Sequence, residues 1–252
     1  MLFWANPVSN QVDELSWDGD TMTHRASPSV PIFNHGFGSI TSASRGADTS
    51  NVQAQARELF YIQDDGHVGG LMYDPLMQVW EKKVYPFSGE TARCDKVAAI
   101  SAISPNFKVS LLCWIATDGA IRFATWHSTS NSWSKASYAA PPGSATIIQS
   151  NFIRATAVGP SSAHIFYLGT NSQLQGLYYD NITEAGSIYW NLNTISSHNS
   201  AAMPPGNAFL APDRSWMGAQ IFWSGVDGSV VEAHCDGQHV RNWELNFVSR
   251  IT

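Results

Sequence analysis

Side chains able to do chemistry are sparse in this chain of 252 residues. The histidines are His24, His35, His67, His127, His164, His198, His234 and His239, and no pair sits at metal-ligand spacing on a helix. His234 and His239 flank an Asp236-Gly237 turn, which explains them without a metal. Cys94, Cys113 and Cys235 form no CxxC pair, so a structural zinc site is not expected. Free thiols, with Cys113 and Cys235 in strands, are the first reading; one disulfide plus one free thiol is the other. GxSxG, HExxH, P-loop and GxGxxG motifs are absent, and no cofactor or metal is expected. What remains is hydrogen bonding beside apolar walls. His164, Tyr178 and His127 are candidate donors, and Trp114, Trp126, Phe123 and Leu111 are candidate walls. Glu14 and Glu232 are candidate acceptors for hydroxyl groups.

Composition limits what those residues can serve. Lys plus Arg is 14 and Asp plus Glu is 20, a net charge of −6. Charged residues are only 13% of the chain, so its polarity comes from Ser, Thr, Asn and Gln. With 10 Trp, 8 Tyr and 12 Phe the chain can bury a large core, which excludes disorder. No basic field exists to neutralise phosphates, so nucleic acid is not an expected partner. No run of about 18 apolar residues appears, so no membrane-spanning segment is expected. Met1 leads straight into Leu2-Phe3-Trp4 without a basic region, so no signal peptide is visible. A secreted mature form stays open, and Asn181-Ile182-Thr183 supplies a glycosylation sequon at a strand end.

The elements that must position these residues follow from an internal repeat. Five aromatic triplets recur: Leu2-Phe3-Trp4, Leu59-Phe60-Tyr61, Leu112-Cys113-Trp114, Ile165-Phe166-Tyr167 and Ile221-Phe222-Trp223. Their starts lie 57, 53, 53 and 56 residues apart. Turns follow at Asp65-Gly66, Asp118-Gly119, Asn171-Ser172 and Asp227-Gly228, a strong hairpin signal because these residues tolerate positive φ. A second strand follows each turn and closes on an aromatic and an Asp in Trp17-Asp18, Tyr73-Asp74 and Tyr179-Asp180. His127 stands where other copies have that Asp, so turn capping competes with a ligand role. A third strand carries Trp80, Trp133, Trp190 or Trp243, expected as core, and the first copy lacks it near Met22. Runs of small and β-branched residues, such as Ile153 to Val158, suit innermost strands converging on an axis.

Four strands per repeat at this period predict an all-β propeller of about five four-stranded blades, one domain over residues 1–252. The chain starts inside the second strand of its first copy. Phe247 to Thr252 therefore either closes the ring from the C-terminus or extends the Trp243 strand. The stretch from Ser27 to Gln55 is expected to hold one inner strand and a loop over one face.

The string Glu14-Leu15-Ser16-Trp17-Asp18-Gly19 and the unit around it resemble the fungal fucose-specific lectin propellers. That resemblance implies sugar sites built from an Arg on the first strand of the unit, a Glu on the next, and stacking aromatics. Here the Arg column holds Met1, Glu58, Leu111, His164 and Gln220, and the Glu column holds Glu14, Gly70, Phe123, Gly176 and Glu232. No repeat keeps both, and Arg57 is one residue out of register, which turns it to the opposite strand face. The ordinary fucose site is expected to be eroded, each lost partner costing about 1–3 kcal/mol. Lectin-like relatives that catalyse hetero-Diels–Alder couplings imply another reading, a cofactor-free cyclase of fungal secondary metabolism acting on aromatic or terpenoid substrates. His164, in the old Arg column, leads that reading. A lectin for fucose or another monosaccharide is the alternative, a two-carboxylate glycosidase has little support, and a homodimer stays open.

Overall fold

The computed structural model describes residues 2–6, 8–17, 19–30, 40–45, 56–74, 76–92, 100–106, 108–140, 153–159, 162–168, 174–179, 190–194, 219–224, 229–235 and 244–250. No helix occurs among them. The first sheet joins β1 (Leu2–Asn6), β2 (Gln11–Trp17) and β3 (Met22–Ala26). The second joins β4 (Ile40–Arg45), β5 (Ala56–Ile62), β6 (Val68–Asp74) and β7 (Val79–Lys83). The third joins β8 (Ile100–Asn106), β9 (Val109–Ile115), β10 (Ile121–His127) and β11 (Ser132–Trp133), and β12 (Ser137–Ala140) also pairs with β10. The fourth joins β13 (Ile153–Gly159), β14 (Ser162–Leu168), β15 (Leu174–Tyr179) and β16 (Trp190–Thr194). The fifth joins β17 (Ala219–Ser224), β18 (Ser229–Cys235) and β19 (Glu244–Arg250).

The five aromatic triplets lie on β1, β5, β9, β14 and β17, so the repeat in sequence is a repeat of antiparallel sheets. Gly66 and Gly119 adopt φ of 85° and 74°, as their hairpins require. Their N–H groups close the turns onto the Gln63 and Ala116 carbonyls at 2.9 Å. The recurring Asp residues are turn acceptors. Asp65 and Asp118 accept the N–H groups of His67 and Ala120 at 3.0 and 2.9 Å, and Asp74 accepts those of Leu76 and Met77. Met22 lies opposite Trp17 as Trp80 lies opposite Tyr73, so Met22 holds the Trp position of the first copy.

Innermost strands β4, β8 and β13 stand side by side. Hydroxyls link them: Thr41 Oγ1 accepts the Ala102 N–H at 2.8 Å, and Ser101 Oγ accepts the Ala155 N–H at 2.9 Å. Only small side chains allow backbones to approach this closely, which accounts for the composition of these strands. The aromatic and aliphatic side chains are buried between sheets. One cluster fills the first interface with Val12, Leu59 and Trp80, a second the next with Phe60, Phe87 and Trp133, and a third joins the third and fourth sheets through Phe123, Ile165 and Tyr167.

Residues 247–250 of the C-terminal segment lie in β19, which pairs with β18, with Phe247 opposite Val231. Four-stranded blades hold for the second and fourth sheets, whereas three strands are described in the first and fifth. The Ser27–Gln55 stretch begins by packing on the first sheet: Ser27 Oγ accepts the Val12 N–H at 2.8 Å, and Val30 is buried. Most of its remainder, the sequon at Asn181, Trp243 and Cys94 lie outside the described residues. Cys113 is a free thiol on β9, and burial holds its pKa far above the ordinary range.

Candidate functional site

Strand alternation decides which side chains enter which cleft between sheets. On β5, Leu59 and Tyr61 face the first sheet, while Phe60 and Ile62 face the third. Arg57 therefore points toward the first sheet and Glu58 toward the third. On β2, Val12 faces the second sheet, and Glu14 with it.

Across the first cleft Glu14 is fully buried. Trp80 Nε1 donates to its Oε2 at 3.0 Å, and Arg57 Nη1 donates to its Oε1 at 3.3 Å. Arg25, opposite Glu14 on β3, brings Nη1 to 3.7 Å from that same Oε1 and donates to Ser16 Oγ at 3.0 Å. Both guanidinium groups stand over the Tyr73 ring, 5.8 and 5.3 Å from its centroid. A carboxylate taken out of water needs partners of this kind, since an uncompensated buried charge costs several kcal/mol. Glu14 thus draws two arginines from two other strands, β3 and β5. Arg57 is on the opposite face from Glu58, as its register requires, and that face is the one that meets Glu14.

Across the second cleft the carboxylate belongs to Glu58, also fully buried. Tyr85 Oη donates to Oε1 at 2.8 Å, and Trp133 Nε1 donates to Oε2 at 3.0 Å. The cleft has a volume of about 470 Å³ and is lined by Glu58, Met72, Lys83, Tyr85, Asn131 and Trp133 among others. Gly70, which stands in the Glu column of this copy, explains the exchange. A Cβ at position 70 would lie 2.3 Å from Tyr85 Cε2. The acid of this copy lies on the first strand of its unit, and the Tyr85 ring occupies the space beside Gly70 on the second. The Tyr85 ring cannot retreat easily, because it stacks on Phe87 at 5.2 Å and 4° and meets Phe60 at 5.3 Å. Gly70→Ala is therefore expected to destabilise the fold by about 1–3 kcal/mol through overpacking. Urea unfolding measures it, and an unchanged midpoint would show that the ring moves freely.

The candidate walls do not surround one cavity. Leu111 and Phe123 are buried on the face of the third sheet that packs on the fourth. Trp114 and Trp126 are buried on its other face, against the second sheet. His164 alternates with Ile165, so it lies on the face of the fourth sheet turned away from the third. It is 1% exposed and edge-on to Phe166 at 5.7 Å. Burial pushes its pKa down to about 3, so it is neutral at neutral pH. Tyr178 is its register partner on β15. His127 is half-buried at the end of β10, and its carbonyl accepts from Ser130 Oγ at 3.3 Å in the following turn. Glu232 on β18 is half-buried, opposite Phe222 as Glu14 is opposite Phe3, with His234 Nδ1 4.0 Å away. Of the candidates, Glu14 alone sits in a charged cluster with Arg25 and Arg57; those arginines, Glu58, Tyr73 and Tyr85 were not among the candidate site residues. Trp80 and Trp133 are buried, as expected of core, and their indole N–H groups also supply the bonds across the clefts. No group of three or more metal-capable side chains occurs among the described residues, and no described helix is long and apolar enough to cross a membrane.

No protein-family model matches the chain, and no curated protein matches it. Solved structures do. The six-bladed fungal lectin of Aleuria aurantia superposes with a TM-score of 0.67 at 16% identity, over 98% of this chain and 73% of that one. A triple Arg-to-Ala mutant of AofleA from Arthrobotrys oligospora gives 0.61 at 13% identity, over 97% and 66%. The SapL1 lectin in complex with α-methyl fucoside gives 0.58 at 14% identity, over 96% and 74%. The chain carries the β-propeller fold of the fungal fucose-specific lectins.

Proposed function

We propose that the protein is a carbohydrate-binding propeller that holds a monosaccharide between adjacent sheets. The observation that carries this reading is the buried Glu58 carboxylate, at the side of a 470 Å³ cleft and bonded to an indole of the next sheet. A sugar needs acceptors for its hydroxyls, donors for its oxygens and an apolar wall for its C–H face. Glu58 presents its carboxylate at the cleft and accepts there from Tyr85 and Trp133 through its two oxygens. Lys83 and Asn131 at the cleft add donors, and Met72 and Trp133 add apolar surface. A carboxylate-to-indole bond of the same 3.0 Å length joins Glu14 to Trp80, so both clefts set an acid against the Trp of the following sheet. The SapL1 and Aleuria lectins have been solved with methyl fucosides bound, and methyl α-L-fucoside is the natural first probe.

Thermal-shift titration with methyl α-L-fucoside and a panel of neutral monosaccharides tests the proposal. A sugar at 100 times its Kd adds about 2.7 kcal/mol of stability, a visible shift. Lys83→Ala, at an exposed lining position, is expected to weaken that sugar several-fold while leaving the melting temperature of the free protein near its original value. Absence of a shift with every sugar would overturn the reading.

A further inference from the structure

The cleft between the first and second sheets differs in charge from the Glu58 cleft. Glu14 supplies one negative charge, while Arg25 and Arg57 supply two positive ones. Each arginine reaches Glu14 through Nη1 alone. Arg25 also spends Nη1 on Ser16 Oγ. Their Nε and Nη2 donors are committed to nothing else among the described residues. The two side chains are 27% and 36% exposed, so those donors border solvent. Two guanidinium groups drawn to one carboxylate oxygen also repel each other, and a second anion lying between them would relieve that repulsion. Cation–π contact with the Tyr73 ring and attraction to Glu14 restrict both guanidinium groups, so less freedom is left to lose when they are engaged.

We infer that this cleft is a second binding site, built on Arg25, Arg57 and Tyr73, that takes a carboxylate-bearing sugar. The inference rests on the carbohydrate-binding reading and adds the ligand's charge. A sugar carboxylate matches the planar fork of a guanidinium in two parallel hydrogen bonds, which a hydroxymethyl group cannot do. The buried Glu14 accepts from Arg57 and Trp80 and attracts Arg25 at 3.7 Å, which holds both arginines at the cleft.

Calorimetric titration of the whole protein with D-glucuronate, D-glucose and acetate tests it. The two sugars differ only in a carboxylate against a hydroxymethyl group. D-glucuronate is expected to bind at least tenfold more tightly than D-glucose, and acetate at least tenfold more weakly than D-glucuronate. Arg57→Gln is expected to erase the preference. Arg57→Lys, which keeps the charge beside Glu14 but not the fork, is expected to reduce it several-fold in a protein whose melting curve stays cooperative. Equal binding of the two sugars would overturn the inference while leaving carbohydrate binding intact. Acetate binding as tight as D-glucuronate would overturn the sugar part of it. A preference that survives in both variants would place the anion elsewhere. Binding of neither sugar here, together with a silent neutral panel, would remove both readings.

Discussion

Replacing Glu58 with alanine is expected to cost more stability than any other single change in the second cleft. The carboxylate is fully buried and accepts from both Tyr85 Oη and Trp133 Nε1. Truncation deprives two buried donors of this acceptor at once, about 1–3 kcal/mol for each, or about 2–6 kcal/mol together. The lost methylene groups add a cavity cost in the same direction. Glu58→Gln separates these contributions. Its carbonyl replaces one acceptor, while its NH2 group faces the other donor, so roughly half of the loss is expected. Pairing Glu58→Leu with Tyr85→Phe removes a donor together with its acceptor, and the double variant is expected to be more stable than the sum of the single losses predicts. Urea unfolding of the five variants, the two singles of the cycle included, gives these differences. A loss below about 0.5 kcal/mol in Glu58→Ala would mean that the two bonds do not hold the sheets together.

Those bonds also show which features are legible in the chain and which are not. The triplets, the Asp-Gly turns and the recurring Trp are local patterns with local causes, and they locate the strands of all five sheets. The columns were legible as well: Glu58 in the Arg column and Gly70 in the Glu column are read directly from the register. What those columns face was not. Alternation along β5 says that Arg57 and Glu58 point in opposite directions, but only packing shows that one direction ends at Glu14 and the other at Trp133. The partners are 43 and 75 residues away in the chain, and no local pattern encodes them. Arg25 could have been found, because it lies opposite Glu14 in a hairpin whose register the Trp17 turn fixes. Gly70 had a signal too. A glycine in mid-strand marks a close approach, and Tyr85 is the group that approaches. Leu111, Phe123, Trp114 and Trp126 divide between two clusters for the converse reason. They share two paired strands, yet alternate sides are required of them, so they were bound to serve two different cores.

His164 supplies the other large expected effect, in the pH dependence of stability. An imidazole free in the unfolded chain titrates near 6.5, whereas burial on β14 pushes its folded pKa down to about 3. Above pH 6.5 it is neutral in both states and contributes nothing to the difference. Below 6.5 the unfolded chain takes up a proton that the folded chain refuses, so stability falls as the pH falls. The slope approaches about 1.4 kcal/mol per pH unit and persists down to about pH 3. Between pH 7.5 and 5.0 the loss due to His164 alone is about 2 kcal/mol. The contribution of His164 is read as a difference from a variant that lacks the imidazole. His164→Leu keeps an apolar group of similar size beside Phe166 and has nothing to protonate. The natural protein is expected to lose about 2 kcal/mol more than this variant over that interval, measured by urea unfolding at both pH values. Equal losses would mean that His164 takes up its proton in the folded state, and hence that it has access to water. That result would restore it as a group able to exchange protons with a bound molecule. With a pKa near 3 its ring is neutral at pH 7, too weak a base to shuttle protons there, and it can act only as a fixed hydrogen-bonding and packing group.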